Sequence, residues 1–86
     1  MKHAGPEALD RLEPLIEQIR AIGVFREKSR GCFYFRSKAF LHFHEDPAGL
    51  FADVRAVDGK DFERMKVDDA AGAAALVARA AAQGKS

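Results

Sequence analysis

The chain has 86 residues, a formal net charge of +1, 48% hydrophobic residues and a single cysteine. This is one small domain: the apolar content excludes a disordered chain, and a lone cysteine excludes an intrachain disulfide or a cysteine-rich zinc cluster. No apolar run reaches the roughly 18 residues of a membrane span, the near-zero charge indicates neither a histone-like nor a polyanionic role, and a start lacking an apolar h-region predicts a cytoplasmic protein.

Sixteen of the apolar residues are alanine, which leaves seven Phe, six Leu, five Val and three Ile as the main side chains of one thin core. The first predicted element is a helix over residues 11–22. Leu9, Leu12, Ile16 and Ile19 recur at spacings of three and four, and Leu15 and Ile22 widen the stripe. Asp10 reads as the N-cap with Glu13 at N3, a capping-box arrangement that keeps Pro14 within the first turn. Gly23 suits the C′ position. Four strands follow at residues 33–36, 39–44, 50–57 and 62–67, where aromatic and β-branched residues are broken by turn signals. Ser37-Lys38, Glu45-Asp46-Pro47-Ala48-Gly49 and Asp58-Gly59-Lys60 read as the connections, short enough to force antiparallel neighbours. A second helix opens with Asp68 as N-cap and Asp69 beside it, carries the stripe Ala73, Leu76, Val77 and Ala80, and ends at Gly84. The predicted fold is α+β: a four-stranded antiparallel meander with N- and C-terminal helices on one face (α-β-β-β-β-α). It is a single domain over residues 1–86, ordered from about 7 to 83.

Strand alternation sorts the sheet residues. With Ser37-Lys38 as a two-residue turn and residues 45–49 as the next loop, one face carries Phe33, Phe35, Phe40, His42, His44, Leu50, Ala52 and Val54. The other carries Cys32, Tyr34, Arg36, Ala39, Leu41, Phe43, Phe51, Asp53 and Arg55. Two short helices cover one face only, and either face can be the covered one. An open face with Tyr34, Arg36, Leu41, Phe43, Phe51, Asp53 and Arg55 would be an interaction surface, with the chain itself as first partner in a homodimer and another protein as second.

Three constellations carry possible chemistry. His42 and His44 are two apart on a strand, so both imidazoles point one way and can reach one metal ion, with Glu45 or Asp46 near the strand end. In the register above no third ligand is evident: Asp53 and Cys32 fall on the opposite face, and His3 lies in an N-terminal tail. Cys32 with His42 or His44 as base is a second candidate, but no oxyanion-hole loop accompanies it. The third is electrostatic. Residues 20–38 hold six basic side chains against one acid, Glu27, and there Arg30, Tyr34, Arg36 and Lys38 interleave cations with an aromatic ring, as a nucleic-acid surface requires.

The block Phe33-Tyr34-Phe35-Arg36-Ser37-Lys38-Ala39-Phe40-Leu41-His42-Phe43-His44-Glu45-Asp46-Pro47-Ala48-Gly49-Leu50-Phe51-Ala52-Asp53-Val54-Arg55, with Phe62-Glu63-Arg64 after it, resembles the central block of a family of small uncharacterised bacterial proteins. That resemblance implies no activity. Arg36, Lys38 and Phe40 are also similar to the strand of MmcQ/YjbR-like proteins, where a Lys-x-Phe step enters the sheet; this likeness implies DNA binding by analogy of fold.

No convergent acid, base and nucleophile can be assembled, so the first reading is a small soluble binding or interaction domain without catalysis, needing no cofactor and no membrane. A metal-binding protein or metal-dependent enzyme using His42 and His44 is the alternative. A nucleic-acid-binding domain on residues 26–38 is the third.

Overall fold

A computed structural model gives the architecture and describes residues 2–56 and 59–85. The elements are β1 (Lys2–His3), α1 (Pro6–Ile22), β2 (Arg26–Ser29), β3 (Cys32–Phe35), β4 (Lys38–Asp46), β5 (Gly49–Arg55), β6 (Phe62–Lys66) and α2 (Ala70–Gly84). The α+β class, the two helices and the antiparallel sheet agree with the sequence reading. Among the described residues the sheet, however, has six strands and not four. Strands β2 to β6 lie side by side in chain order, and β1 pairs with the far half of β4, beyond the end of β3. Neither added strand carries a strand pattern. Lys2-His3 is too short for one, and Arg26-Glu27-Lys28-Ser29 is too charged for alternation to separate it from a loop. Among the described residues, no helix is long and apolar enough to cross a membrane.

Helix α1 begins five residues earlier than predicted. Pro6 is its first residue, where the fixed φ suits a helix and the missing N–H has no partner to lose, and Gly5 is the N-cap. Pro14 therefore lies inside the helix and deprives the Asp10 carbonyl of its usual donor. The stripe holds: Leu12, Leu15, Ile16 and Ile19 are buried with Ala8, and Gly23 closes the helix at φ 82°, donating its N–H to the Arg20 carbonyl. In α2 the N-cap is Asp69 and not Asp68, with the Asp69 carboxylate accepting from the Gly72 N–H at 2.6 Å. Asp68 instead accepts from the Leu50 N–H and pairs with Lys66.

Two hairpins and a bulge on β4 set the register of β3, β4 and β5, and each moves it from the predicted one. The β3–β4 turn is Arg36-Ser37, both at positive φ (51° and 74°), so Phe35 pairs with Lys38. This is the two-residue turn that matches strand twist. Phe40 is then an extra residue on β4, lying between the pairs Tyr34↔Ala39 and Phe33↔Leu41. The β4–β5 connection is only Pro47-Ala48, so Asp46 pairs with Gly49, His44 with Phe51 and His42 with Asp53. A one-residue shift exchanges sheet faces, which is what happens to β5 relative to β4. Val57 and Asp58, read from sequence as a strand end and part of the Asp-Gly turn, lie outside the described residues.

The core follows from this register. Phe33, Phe40, Leu41, Phe43, Leu50, Ala52 and Val54 are buried on one face and form a single cluster with the α1 stripe and with Leu76 and Ala80 of α2. The bulge lets both Phe40 and Leu41 enter it, and the Phe40 ring stacks on Phe25 at 4.8 Å. The predicted interaction surface is thereby divided. Leu41 and Phe43 are core at 1% and 2% exposure, Arg36 is in a turn, and Tyr34, Phe51, Asp53 and Arg55 lie on the face opposite the helices.

Candidate metal centre

The face opposite the helices is where the register matters for chemistry. His42 and His44 sit two apart on β4, and burial of Leu41 and Phe43 on the helix side turns both imidazoles outward. β1 adds a third ring. His3 pairs with His44 across the strands, which puts the two side chains on one face, and its ring stacks on His44 at 4.8 Å between centroids. Backbone and charge hold this short strand in place: the Ala4 N–H donates to the Phe43 carbonyl at 3.1 Å, the Gly5 N–H donates to the Glu45 carboxylate at 2.7 Å, and Lys2 pairs with Glu45 at 3.4 Å.

One ligand-type nitrogen from each of His3, His42 and His44 lies within 4.8 Å of the others. The tightest pair, His44 Nε2 and His42 Nδ1, is 2.8 Å apart, so one ring donates and the other accepts. Two zinc–nitrogen bonds of about 2.0–2.1 Å at a tetrahedral angle separate their nitrogens by about 3.3–3.4 Å. To coordinate one ion the tight pair must open by about 0.5 Å and separations of up to 4.8 Å must close by about 1.4 Å. His3 is exposed and can supply the largest of these movements.

The electrostatics favour a neutral His42. Burial first, and the neighbouring His44 next, lower the proton affinity of His42, with Asp53 opposing them. A neutral ring keeps the lone pair that coordination requires. Asp53 borders the cluster with Oδ2 3.2 Å from His44 Nε2. It is buried, and Arg64 binds it as a fork, Nε to Oδ1 at 2.8 Å and Nη2 to Oδ2 at 2.9 Å. That fork, ahead of any other influence, holds the Asp53 carboxyl below the usual range. His44 Nδ1 is buried without a hydrogen-bond partner, so the polar contacts of this ring are all made through Nε2.

The sequence reading placed His42 and His44 correctly together and misplaced what surrounds them. Asp53 is on their face, not the opposite one, and His3 belongs to a paired strand. Strand alternation also brings Cys32 to this face, since its neighbour Phe33 is core, yet the closest triple contains three imidazoles and no thiol. Glu45 turns to Gly5 and Lys2, and Asp46 accepts from the Ala48 N–H in the turn. Arg64 was missed; its signal was the alternation Phe62-Glu63-Arg64, which places Arg64 opposite Asp53.

The predicted nucleic-acid set does not gather on one surface. Arg30 pairs with Asp10 and Glu13 of α1, at 2.9 and 2.8 Å. Arg20 is bound by Glu13, Glu17 and Glu27, so the basic segment is neutralised in part by the helix beside it. Those contacts pull Glu13 down to about 2, Arg30 contributing most and Arg20 next. Tyr34 lies on the open face beneath the Lys28 ammonium at 4.2 Å, whereas Arg36 and Lys38 are at the β3–β4 turn. No family model, curated protein or solved structure matches this chain, and what the site can do follows from its geometry.

Proposed function

We propose that this protein is a metal-binding domain that holds a divalent transition-metal ion on its open sheet face through His3, His42 and His44. The observation that carries the reading is the convergence of three imidazoles, with ligand nitrogens mutually within 4.8 Å. Imidazole suits zinc, copper and nickel, and the absence of thiolate ligands disfavours the softest ions. This reading takes up the metal-binding alternative of the sequence analysis and stands ahead of self-association, because Leu41 and Phe43, two of the three apolar residues that argued for a dimer face, are in the core.

Untagged protein is expected to bind one equivalent of zinc or cobalt(II) by calorimetry, and His42→Ala is expected to lose it. The same variant should retain the wild-type circular dichroism, since His42 is on the open face. Failure of the wild type to bind either ion at micromolar protein would refute the proposal.

A further inference from the structure

What else the ion would hold can be argued from charge, on the premise that the three-histidine reading is right. Three imidazoles coordinate as neutral groups and leave the 2+ charge of the ion uncompensated. The nearest carboxylate, Asp53, does not make up the difference. Both of its oxygens are engaged by the Arg64 fork, and the guanidinium cancels its charge. That fork uses two of the five N–H donors of Arg64, whose side chain is 50% exposed. The rest of the face adds more cation than anion. Lys66 is balanced by Asp68, Arg55 donates to the Ala39 and Gly59 carbonyls, and Lys28 lies over Tyr34, against Asp46 at the strand end. Both helices pack on the other face, so one side of the ion would meet solvent.

We infer that the metal centre is an open one that takes an exogenous oxyanion, a phosphate or carboxylate group, at the coordination position His3, His42 and His44 leave vacant, with Arg64 as its second contact. A three-ligand site with an open position is the arrangement of zinc centres that bind or turn over ligands, whereas a fourth protein ligand closes a structural site. The rival arrangement has Asp53 leave Arg64 and close the centre itself. Arg64 is in this view a specificity residue: it restrains the internal carboxylate and offers its remaining donors to the external one.

The test uses the full untagged chain loaded with cobalt(II), whose visible absorption reports its coordination. Inorganic phosphate and acetate are titrated separately. A saturable change in the cobalt band with either anion supports the inference, and the stronger responder identifies the oxyanion type. Arg64→Gln should weaken the response by about tenfold while cobalt stays bound. Asp53→Asn removes the rival ligand and releases the two Arg64 donors of the fork, so cobalt should stay bound and the anion response should be no weaker than wild type. Cobalt bound stoichiometrically with a band that neither anion alters would overturn the inference and leave the metal site standing. An Arg64→Gln response equal to wild type would overturn the role given to Arg64. Absence of a cobalt band, together with no zinc binding by calorimetry, would instead refute the metal reading beneath it.

Discussion

At the residue scale, the most informative positions are those where one side chain or one dihedral decides a register. Arg36 and Ser37 both adopt positive φ without being glycine. Each such residue costs about 1–2 kcal/mol, and the hairpin accepts the cost because the turn matches the twist of β3 and β4. Ser37→Gly is therefore expected to raise stability by about 0.5 kcal/mol, after the entropy that glycine loses on folding is counted. A urea midpoint at or below the wild-type value would count against it. Phe43 marks the other side of the same register. It is 2% exposed, so Phe43→Ala should cost about 3–5 kcal/mol, and a near-neutral change would mean that β4 is turned the other way. The pair His42 and His44 was legible in the sequence because i, i+2 spacing on a strand needs no register. His3 was not legible: its place depends on a pairing with residues about forty positions away, and two residues cannot show a period.

At the scale of elements, helices were read more securely than strands, for a physical reason. The α1 stripe repeats over about three turns and survives an error in where the helix starts, whereas the β faces exchange with each one-residue slip. Strand β2 was hidden by its charges, and those charges are what fasten it. Glu27 receives two bonds from Arg20 and one from the Gly31 N–H, tying β2 to α1. Arg20 lowers the Glu27 carboxyl from 4.5 more than burial raises it, and the Gly31 N–H adds a smaller lowering. Between the folded and unfolded values the unfolded chain binds more protons, so stability rises with pH there. The contribution is complete above about 4.5 and is lost as pH falls through the folded value. Glu27→Gln should cost about 1–2 kcal/mol at pH 7, and the gap to wild type should narrow in urea titrations below pH 4.5. A gap that stays constant with pH would show that the carboxylate charge is not what matters. Strand β1 invites a different measurement. If His3 is a ligand, an ion that binds only when β1 is docked must also hold it there. Zinc at about ten times its dissociation constant is then expected to slow exchange of the Ala4 amide by about tenfold, and His3→Ala should abolish the slowing. Equal exchange with and without zinc would detach β1 from the site.

At the scale of the whole molecule, the question is whether so small a domain stands alone. A thin core makes oligomerisation attractive in general, and a face bearing Leu41, Phe43 and Phe51 would have driven it. With Leu41 and Phe43 inside, the open face keeps Tyr34, Phe51 and Phe62 as its large rings, and cations lie over two of these, Lys28 over Tyr34 and Arg55 over Phe62. Asp53, which the sequence reading placed on the interaction surface, is engaged by Arg64 of its own chain. The sheet edges offer little more. A twofold axis normal to the sheet keeps every side chain on its own face, so β6 can pair with a second β6 only between residues of equal parity. Centred on Arg64 the strand opposes Arg64 to itself; centred on Glu63 it opposes two glutamates; centred on Met65 it opposes Arg64 to Lys66. Each register sets like charges across from one another, which is unfavourable. At the other edge β2 carries the extra residue Lys28, and a bulge with a lysine blunts a strand against addition. Sedimentation equilibrium of metal-free protein at micromolar concentration is accordingly expected to give the monomer mass of 9.4 kDa. A dimer mass under those conditions would mean that Phe51 and Phe62 outweigh the charges around them, and Phe62→Asp, on the exposed strand and away from the core, should then restore the monomer without unfolding it.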